Sequence, residues 1–156
     1  RIRLKLIVAG TPKIVVSPQP VPIETKARGA RRGGRFRLSL SGYAWPVKLE
    51  GIASDGLILK PAEGQKPYTL SWGQALTVAL DKKDKEGHLI PAKPSPRSPL
   101  RIKDAATFWV LVTTSDDTPT GEYEGVLMLR VRYSSRRGEK GVVEVPVKVV
   151  FRLKKE

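Results

Sequence analysis

The sequence predicts an all-β protein, a sandwich or a barrel, on three observations. Apolar residues recur with a period of two in several runs, thirteen prolines and fourteen glycines punctuate the chain, and no apolar pattern of period 3.6 persists for three turns. Alternation sends every second side chain to the same face of a strand, so each such run buries one face and wets the other. With 156 residues, 40% hydrophobic and 28% charged, the chain has the size of one domain and enough apolar material for a core.

Taken in order, Ile2, Leu4, Leu6 and Val8 alternate with Arg1, Arg3 and Lys5, a leading strand or linker within residues 1–12, ahead of a sandwich over residues 13–156. TPKIVVSPQPVPI, residues 11–23, mixes β-branched residues with four prolines and reads as an edge strand that breaks and changes sheets. Phe36, Leu38 and Leu40 alternate with Arg35, Arg37 and Ser39, and WPVKLEGI, GLILK and ALTVAL are short β-compatible runs. KEGHLIPAKPSPRSP, residues 85–99, carries four prolines and is expected to be a long exposed excursion. A single helical turn is the expectation for residues 103–106. Phe108, Val110 and Val112 face away from Trp109 and Leu111, a strand covered at least in part on both sides.

At the C-terminus, Leu127, Leu129, Val131 and Tyr133 alternate with Met128, Arg130 and Arg132. The next run places Val143, Val145, Val147, Val149, Phe151 and Leu153 on one face. SSRRGEKG between them is a hairpin connection, so the last two strands pair antiparallel. Pro146 falls on the outward set and cannot donate to a ladder, which predicts a sheet edge or a bulge there. About eight candidate strands result.

The net charge of +14 is unevenly placed: residues 1–49 hold eleven lysines and arginines against the single acid Glu24, and residues 50–156 hold eighteen against fourteen. Such asymmetry points to an anionic polymer as a partner, whether nucleic acid or acidic polysaccharide, or to an anionic membrane surface. The absence of cysteine removes disulfides, thiolate metal sites and cysteine nucleophiles and leaves the compartment open. No run reaches the roughly 18 apolar residues of a membrane span. The opening RIRLKLIVAG has too short an apolar core for a secretory signal and no initiating methionine, so a mature or excised fragment is expected.

Motifs for catalysis are lacking. His88 is the single histidine and sits in the polar stretch KEGHLIP, without a cysteine co-ligand, so it reads as a solvated loop residue rather than part of a triad or zinc site. Asp116, Asp117, Glu122 and Glu124 offer oxygen ligands, but their spacing matches no calcium loop. No catalytic residue, metal or cofactor is expected, and the chain is read as not an enzyme.

RGARRGGR, residues 28–35, concentrates four arginines and three glycines. Arg28, Arg31, Arg32 and Arg35, with Arg37 beyond, are the candidate polyanion-binding residues, and Tyr43 and Trp45 are nearby stacking surfaces. The segment is expected to be a mobile, solvated bend in which glycines turn the chain and arginines keep it soluble. Four arginines neutralising four phosphates would give a salt slope of about −3.6 on duplex DNA, at about −0.9 per phosphate. No RRM, KH, zinc-finger or helix-turn-helix pattern accompanies them.

Within TPTGEYEGVLMLRVRY, residues 118–133, the order Pro119, Gly121, Tyr123, Gly125 and then an alternating strand resembles the penultimate-strand entry of bacterial immunoglobulin-like and fibronectin type III-like domains. The resemblance implies an immunoglobulin-like antiparallel β-sandwich of about 7–9 strands, with Tyr123 as a structural tyrosine corner. Trp45 is a candidate for the core tryptophan of such a sandwich. It also implies a non-catalytic structural or adhesive module, extracytoplasmic or at the cell surface, that binds other protein domains or subunits, with strand addition as one route. The alternative is a basic β-domain that binds nucleic acid or another polyanion. A polysaccharide-binding module would show Trp45, Trp72, Tyr43 or Tyr68 on one exposed face.

Overall fold

The computed structural model describes residues 13–26, 31–41, 47–60, 64, 66–134 and 140–154. They form twelve strands in two sheets and, among the described residues, no helix. The five-stranded sheet runs β1 (Lys13–Ser17), β3 (Arg31–Ser41), β10 (Ala105–Thr113), β7 (Leu76–Lys83), β8 (Leu89–Pro91). The other sheet runs β2 (Val21–Thr25), β12 (Lys140–Leu153), β11 (Gly121–Ser134), β4 (Val47–Ser54), β9 (Leu100–Ile102), with β5 (Leu57–Leu59) on β11 and β6 (Thr69–Leu70) on β5. Eight of the twelve run five residues or more, and each overlaps a stretch that the sequence marks as β-compatible, as does the shorter β5 within GLILK. The neighbour orders β1-β3-β10-β7 and β12-β11-β4 are those of the two sheets of an immunoglobulin-like sandwich.

The predicted alternation builds the core. Phe36 and Leu38 of β3, Phe108 and Val110 of β10, and Leu76 and Val78 of β7 face Leu127, Leu129 and Val131 of β11 and Val147, Val149 and Phe151 of β12. Phe36 and Phe108 stack with centroids 5.5 Å apart. The closing hairpin pairs antiparallel from Gly121↔Leu153 to Ser134↔Lys140. In β10 Leu111 is also buried and Trp109 half-buried on the face opposite Phe108, so this strand is covered on both sides.

The proline-rich segment does change sheets: β1 pairs antiparallel with β3, and β2 pairs parallel with β12 over Val149↔Val21 to Leu153↔Thr25. Pro146 is thereby explained. It lies opposite Met128, short of the stretch that β2 covers, so at this position β12 is an edge although its C-terminal part is interior. The Gln19 side chain patches the gap as a peptide group would. Its Nε2 donates to the Pro146 carbonyl at 3.2 Å, and its Oε1 accepts from the Lys148 N–H at 2.9 Å.

Three local expectations are corrected. Residues 31–35 of RGARRGGR are not a solvated bend but the first half of β3, paired with β10 from Arg31↔Thr113 to Arg35↔Trp109. The glycines serve close approach rather than turning. A Cβ at Gly33 would lie 2.8 Å from Leu111 Cδ2 and 3.0 Å from Trp109 Cε3, and one at Gly34 would lie 2.8 Å from the Pro22 carbonyl oxygen. Residues 85–99 are not wholly an excursion, because they contribute the edge strand β8, and Ala92 reaches the core. Residues 103–106 form a bend and the start of β10 instead of a helical turn, with the Asp104 carbonyl accepting the Leu40 N–H at 2.9 Å. Residues 1–12, where a leading strand or linker is expected, lie outside the described residues.

Candidate functional site

Because β3 buries Phe36 and Leu38, its alternate residues Arg31, Gly33, Arg35 and Arg37 stand on the outer face of the five-stranded sheet. Arg31, Arg35 and Arg37 are exposed. Arg32 has the inward parity but lies exposed near the strand end, and Arg28 falls outside the described residues. The five strands of this sheet contain seven lysines and arginines and a single acid, Asp81. The strands of the other sheet are near balance, with seven cations against five acids. The fold therefore gathers basic residues onto one sheet, with Arg31, Arg35 and Arg37 on its outer face, which strengthens the local field for an anion.

An aromatic ring is built into this face. The Arg35 guanidinium carbon sits 5.4 Å from the centroid of the half-buried Trp109 ring, a cation–π contact, and the Trp109 Nε1–H donates to Asp81 Oδ1 at 2.8 Å. Gly33 makes room for this indole. Sequence reasoning missed Trp109 as a surface group because its strand reads as buried; the glycine at position 33, which leaves room for the ring, was the available signal.

Arg31 also opens onto a groove of about 480 Å³ between the turn that follows β6 and the segment that follows β8. Its lining includes Trp72, Thr77, Pro91, Lys93 and Pro94, and, among the described residues, no acid. The turn is fixed by the Ser71 carbonyl, which accepts the Ala75 and Leu76 N–H groups at 3.0 Å, and by the Gly73 N–H, which donates to the Leu76 carbonyl at 2.8 Å. Trp72 rests partly on the core, with the remainder of its indole at the groove.

The other sequence candidates are distributed elsewhere. Tyr68 packs edge-on to Tyr123, with centroids 6.3 Å apart, so it does not share a face with Trp72; Tyr43 and Trp45 lie outside the described residues. Glu122 and Glu124 are ion-paired with Lys60 at 2.7 and 3.0 Å rather than gathered with Asp116 and Asp117. Lys154, Glu24, Arg152, Glu122 and Lys60 form a continuous charge ladder across the seven-stranded sheet, and the cations hold Glu24 and Glu122 below the usual carboxylate range. His88 is exposed in the β7–β8 turn. Asp84 Oδ1 there accepts the Glu86 and His88 N–H groups at 2.9 Å, and Glu86 lies 3.6 Å from His88 Nδ1. Within these exposed groups the Asp84 carboxylate is already engaged in holding the turn.

Glu50 is a polar site that the sequence did not single out. It is the extra residue where the register between β4 and β11 shifts, and only 4% of it is exposed. Two guanidinium groups cover it: Arg132 Nε donates to Oε2 at 2.8 Å, and Arg130 Nε to Oε1 at 3.0 Å. The Arg132 hydrogen bond is the largest cause that lowers its pKa. Tyr123 is fully buried, and its hydroxyl donates to the Pro119 carbonyl at 2.6 Å, across the turn that enters β11.

No protein-family model and no curated protein matches the chain. Solved structures do. The ASH/PapD-like domain 7 of human CEP192 superposes with a TM-score of 0.58 at 9% identity, over 92% of this chain and 87% of that one. A family 123 glycoside hydrolase from Clostridium perfringens gives 0.56 at 12%, over 94% of this chain and 27% of that one. CfaE, the adhesive subunit of the CFA/I fimbria of enterotoxigenic Escherichia coli, gives 0.54 at 14%, over 94% of this chain and 50% of that one. The chain thus spans half or less of the hydrolase and the adhesin, and at these identities the likeness is one of fold. By fold, this chain is an immunoglobulin-like β-sandwich.

Proposed function

We propose that the chain is a non-catalytic structural or adhesive β-sandwich module of a surface or extracytoplasmic protein or assembly, joined to other domains or subunits by strand addition. The half-covered edge of β12 supports this reading. Among the described residues, no strand lies beside residues 140–147 on the side away from β11. Hydrogen-bonding direction alternates along a strand, and Pro146 and Lys148 direct theirs to that side, so Val142 and Glu144 aim their N–H and C=O groups there as well. Beside this edge the outward residues Val126 and Met128, exposed by 39% and 37%, form a small apolar patch with Pro146, and Val142, exposed by 36%, stands farther along β12 opposite Arg132. Backbone groups for pairing next to apolar side chains are the ingredients of β-augmentation. The folds of an adhesive fimbrial subunit and a PapD-like domain are of the same kind. Among the described residues no helix is long and apolar enough to cross a membrane.

Hydrogen exchange and cell fractionation test the reading. In its native assembly the chain is expected at the cell surface with the Val142 and Glu144 amides protected, whereas the isolated chain exchanges them freely. Glu144→Pro removes one edge donor, as Pro146 already does, and is expected to fold without assembling; Glu144→Gln should assemble. A cytoplasmic chain, or an assembly in which these amides stay unprotected, contradicts the proposal. A second reading, a basic β-domain that binds nucleic acid or another polyanion, is supported by Arg31, Arg35 and Arg37 standing in one row, with Arg32 at the strand end and Arg28 ahead of it.

A further inference from the structure

We propose that the groove at Arg31, Trp72 and Lys93 binds an acidic sugar residue of a carboxylated polysaccharide, whose chain continues along the outer face of β3 to Arg35 and Trp109. The proposal deepens the adhesive reading, on which it rests for its biological setting, by giving the ligand its chemistry.

Size and lining both fit. A space of about 480 Å³ holds a small cyclic ligand, and such sites combine apolar walls with a few placed polar groups. Here Trp72, Pro91 and Pro94 supply the walls, Arg31 and Lys93 supply the cations, and Thr77 supplies a hydroxyl. A uronate ring has matching parts: a C–H face for the indole, a carboxylate for the guanidinium and ammonium, and hydroxyls for Thr77 and nearby backbone. Arginine is the side chain suited to hold a carboxylate by two parallel hydrogen bonds. Among the described residues that line the groove none is acidic, which favours an entering carboxylate.

A second arginine–indole pair lies on the same row, with the Asp81 carboxylate at its edge accepting the indole N–H. Arg31 and Arg35 are four residues apart on β3, about 14 Å at roughly 3.4 Å per residue, and Arg35 is paired with Trp109 as Arg31 is grouped with Trp72. Repetition of arginine with indole along one strand suits a polymer better than a lone monosaccharide. It also favours a sugar over a nucleic acid. Consecutive bases stack on neighbouring rings, whereas Trp72 is the one ring among the described residues lining the groove and Arg35 already covers Trp109.

The test uses the full chain with an oligogalacturonate, a neutral oligosaccharide of equal length and an oligothymidylate, in calorimetry at roughly 150 mM salt, where purely surface charge attraction is largely screened. The oligogalacturonate is expected to bind and to shift tryptophan emission, and the neutral sugar is not. Arg31→Gln with Lys93→Gln, both at exposed side chains, should weaken binding at least about tenfold with the melting temperature unchanged. Trp72→Phe should reduce the emission shift. Failure of the oligogalacturonate to bind, equal binding of the neutral sugar, or full affinity in the double variant overturns the proposal. Tighter binding of the oligothymidylate, lost in the same variant, overturns it in favour of nucleic acid. The double variant leaves β12 untouched, so loss of sugar binding with assembly intact isolates the groove, and failure of the native chain to assemble counts against the adhesive module alone.

Discussion

Replacing Tyr123 separates the ring of the corner from its hydroxyl. The side chain is fully buried, contacts the Phe151 ring at 5.7 Å and the Tyr68 ring at 6.3 Å, and reaches the Pro119 carbonyl at 2.6 Å. Tyr123→Phe keeps the ring and deletes one hydrogen bond, leaving the Pro119 carbonyl without that donor; about 1 kcal/mol is expected. Tyr123→Ala removes an aromatic group of the size that buries about 150–250 Å², or about 4–6 kcal/mol at 25 cal/mol/Å² as an upper bound. Because Ala keeps the Cβ and the surroundings partly collapse, the expectation is about 3–5 kcal/mol. For a chain of 156 residues, 1 kcal/mol corresponds to about 2–4 °C, so Phe should lower the melting temperature by that much and Ala by on the order of 10 °C. Urea titration with circular dichroism reads both as midpoint shifts at constant slope. An Ala variant as stable as the parent would refute the packing argument, and a Phe variant as damaged as Ala would show that the hydroxyl carries the whole effect.

Two further perturbations address β3 and the ion pairs. Gly34→Ala places a Cβ 2.8 Å from the Pro22 carbonyl oxygen and 3.0 Å from Ile23 Cγ1, so overpacking against β2 should cost about 1–3 kcal/mol; a neutral or stabilising result, as expected of a solvated bend, would show that residues 31–35 are not held in the sheet. Glu50, Glu24 and Glu122 all have lowered pKa values, chiefly through hydrogen bonds from Arg132, Lys154 and Lys60 respectively. Depressed folded-state values mean that the unfolded chain takes up protons first, so this stability is present above about 4.5 and is lost as pH falls through the folded values. Urea midpoints measured from pH 7 to pH 3 should be flat at first and then fall, less steeply in Glu50→Gln; a midpoint that rises on acidification would contradict the assignment.

What the sequence determined by itself was the all-β class, the closing hairpin and the inward set of β10, β11 and β12, because side-chain alternation is a local property of a strand and survives without knowledge of its neighbours. The sheet switch at residues 11–23 was legible for the same reason, since proline limits pairing wherever it falls. The tertiary structure alone decided which strands are neighbours, and with that the function of particular residues. RRGGR reads as a bend in one dimension, and only the approach of Trp109 and Leu111 on one side and β2 on the other turns its glycines into packing positions. Glu50 and its two arginines stand 80 and 82 residues apart, and Arg31, Trp72 and Lys93 are brought to one groove by β3, a turn and the segment after β8. No periodicity encodes such meetings, because they depend on sheet order, and sheet order is set by the burial of whole faces rather than by any one run of residues.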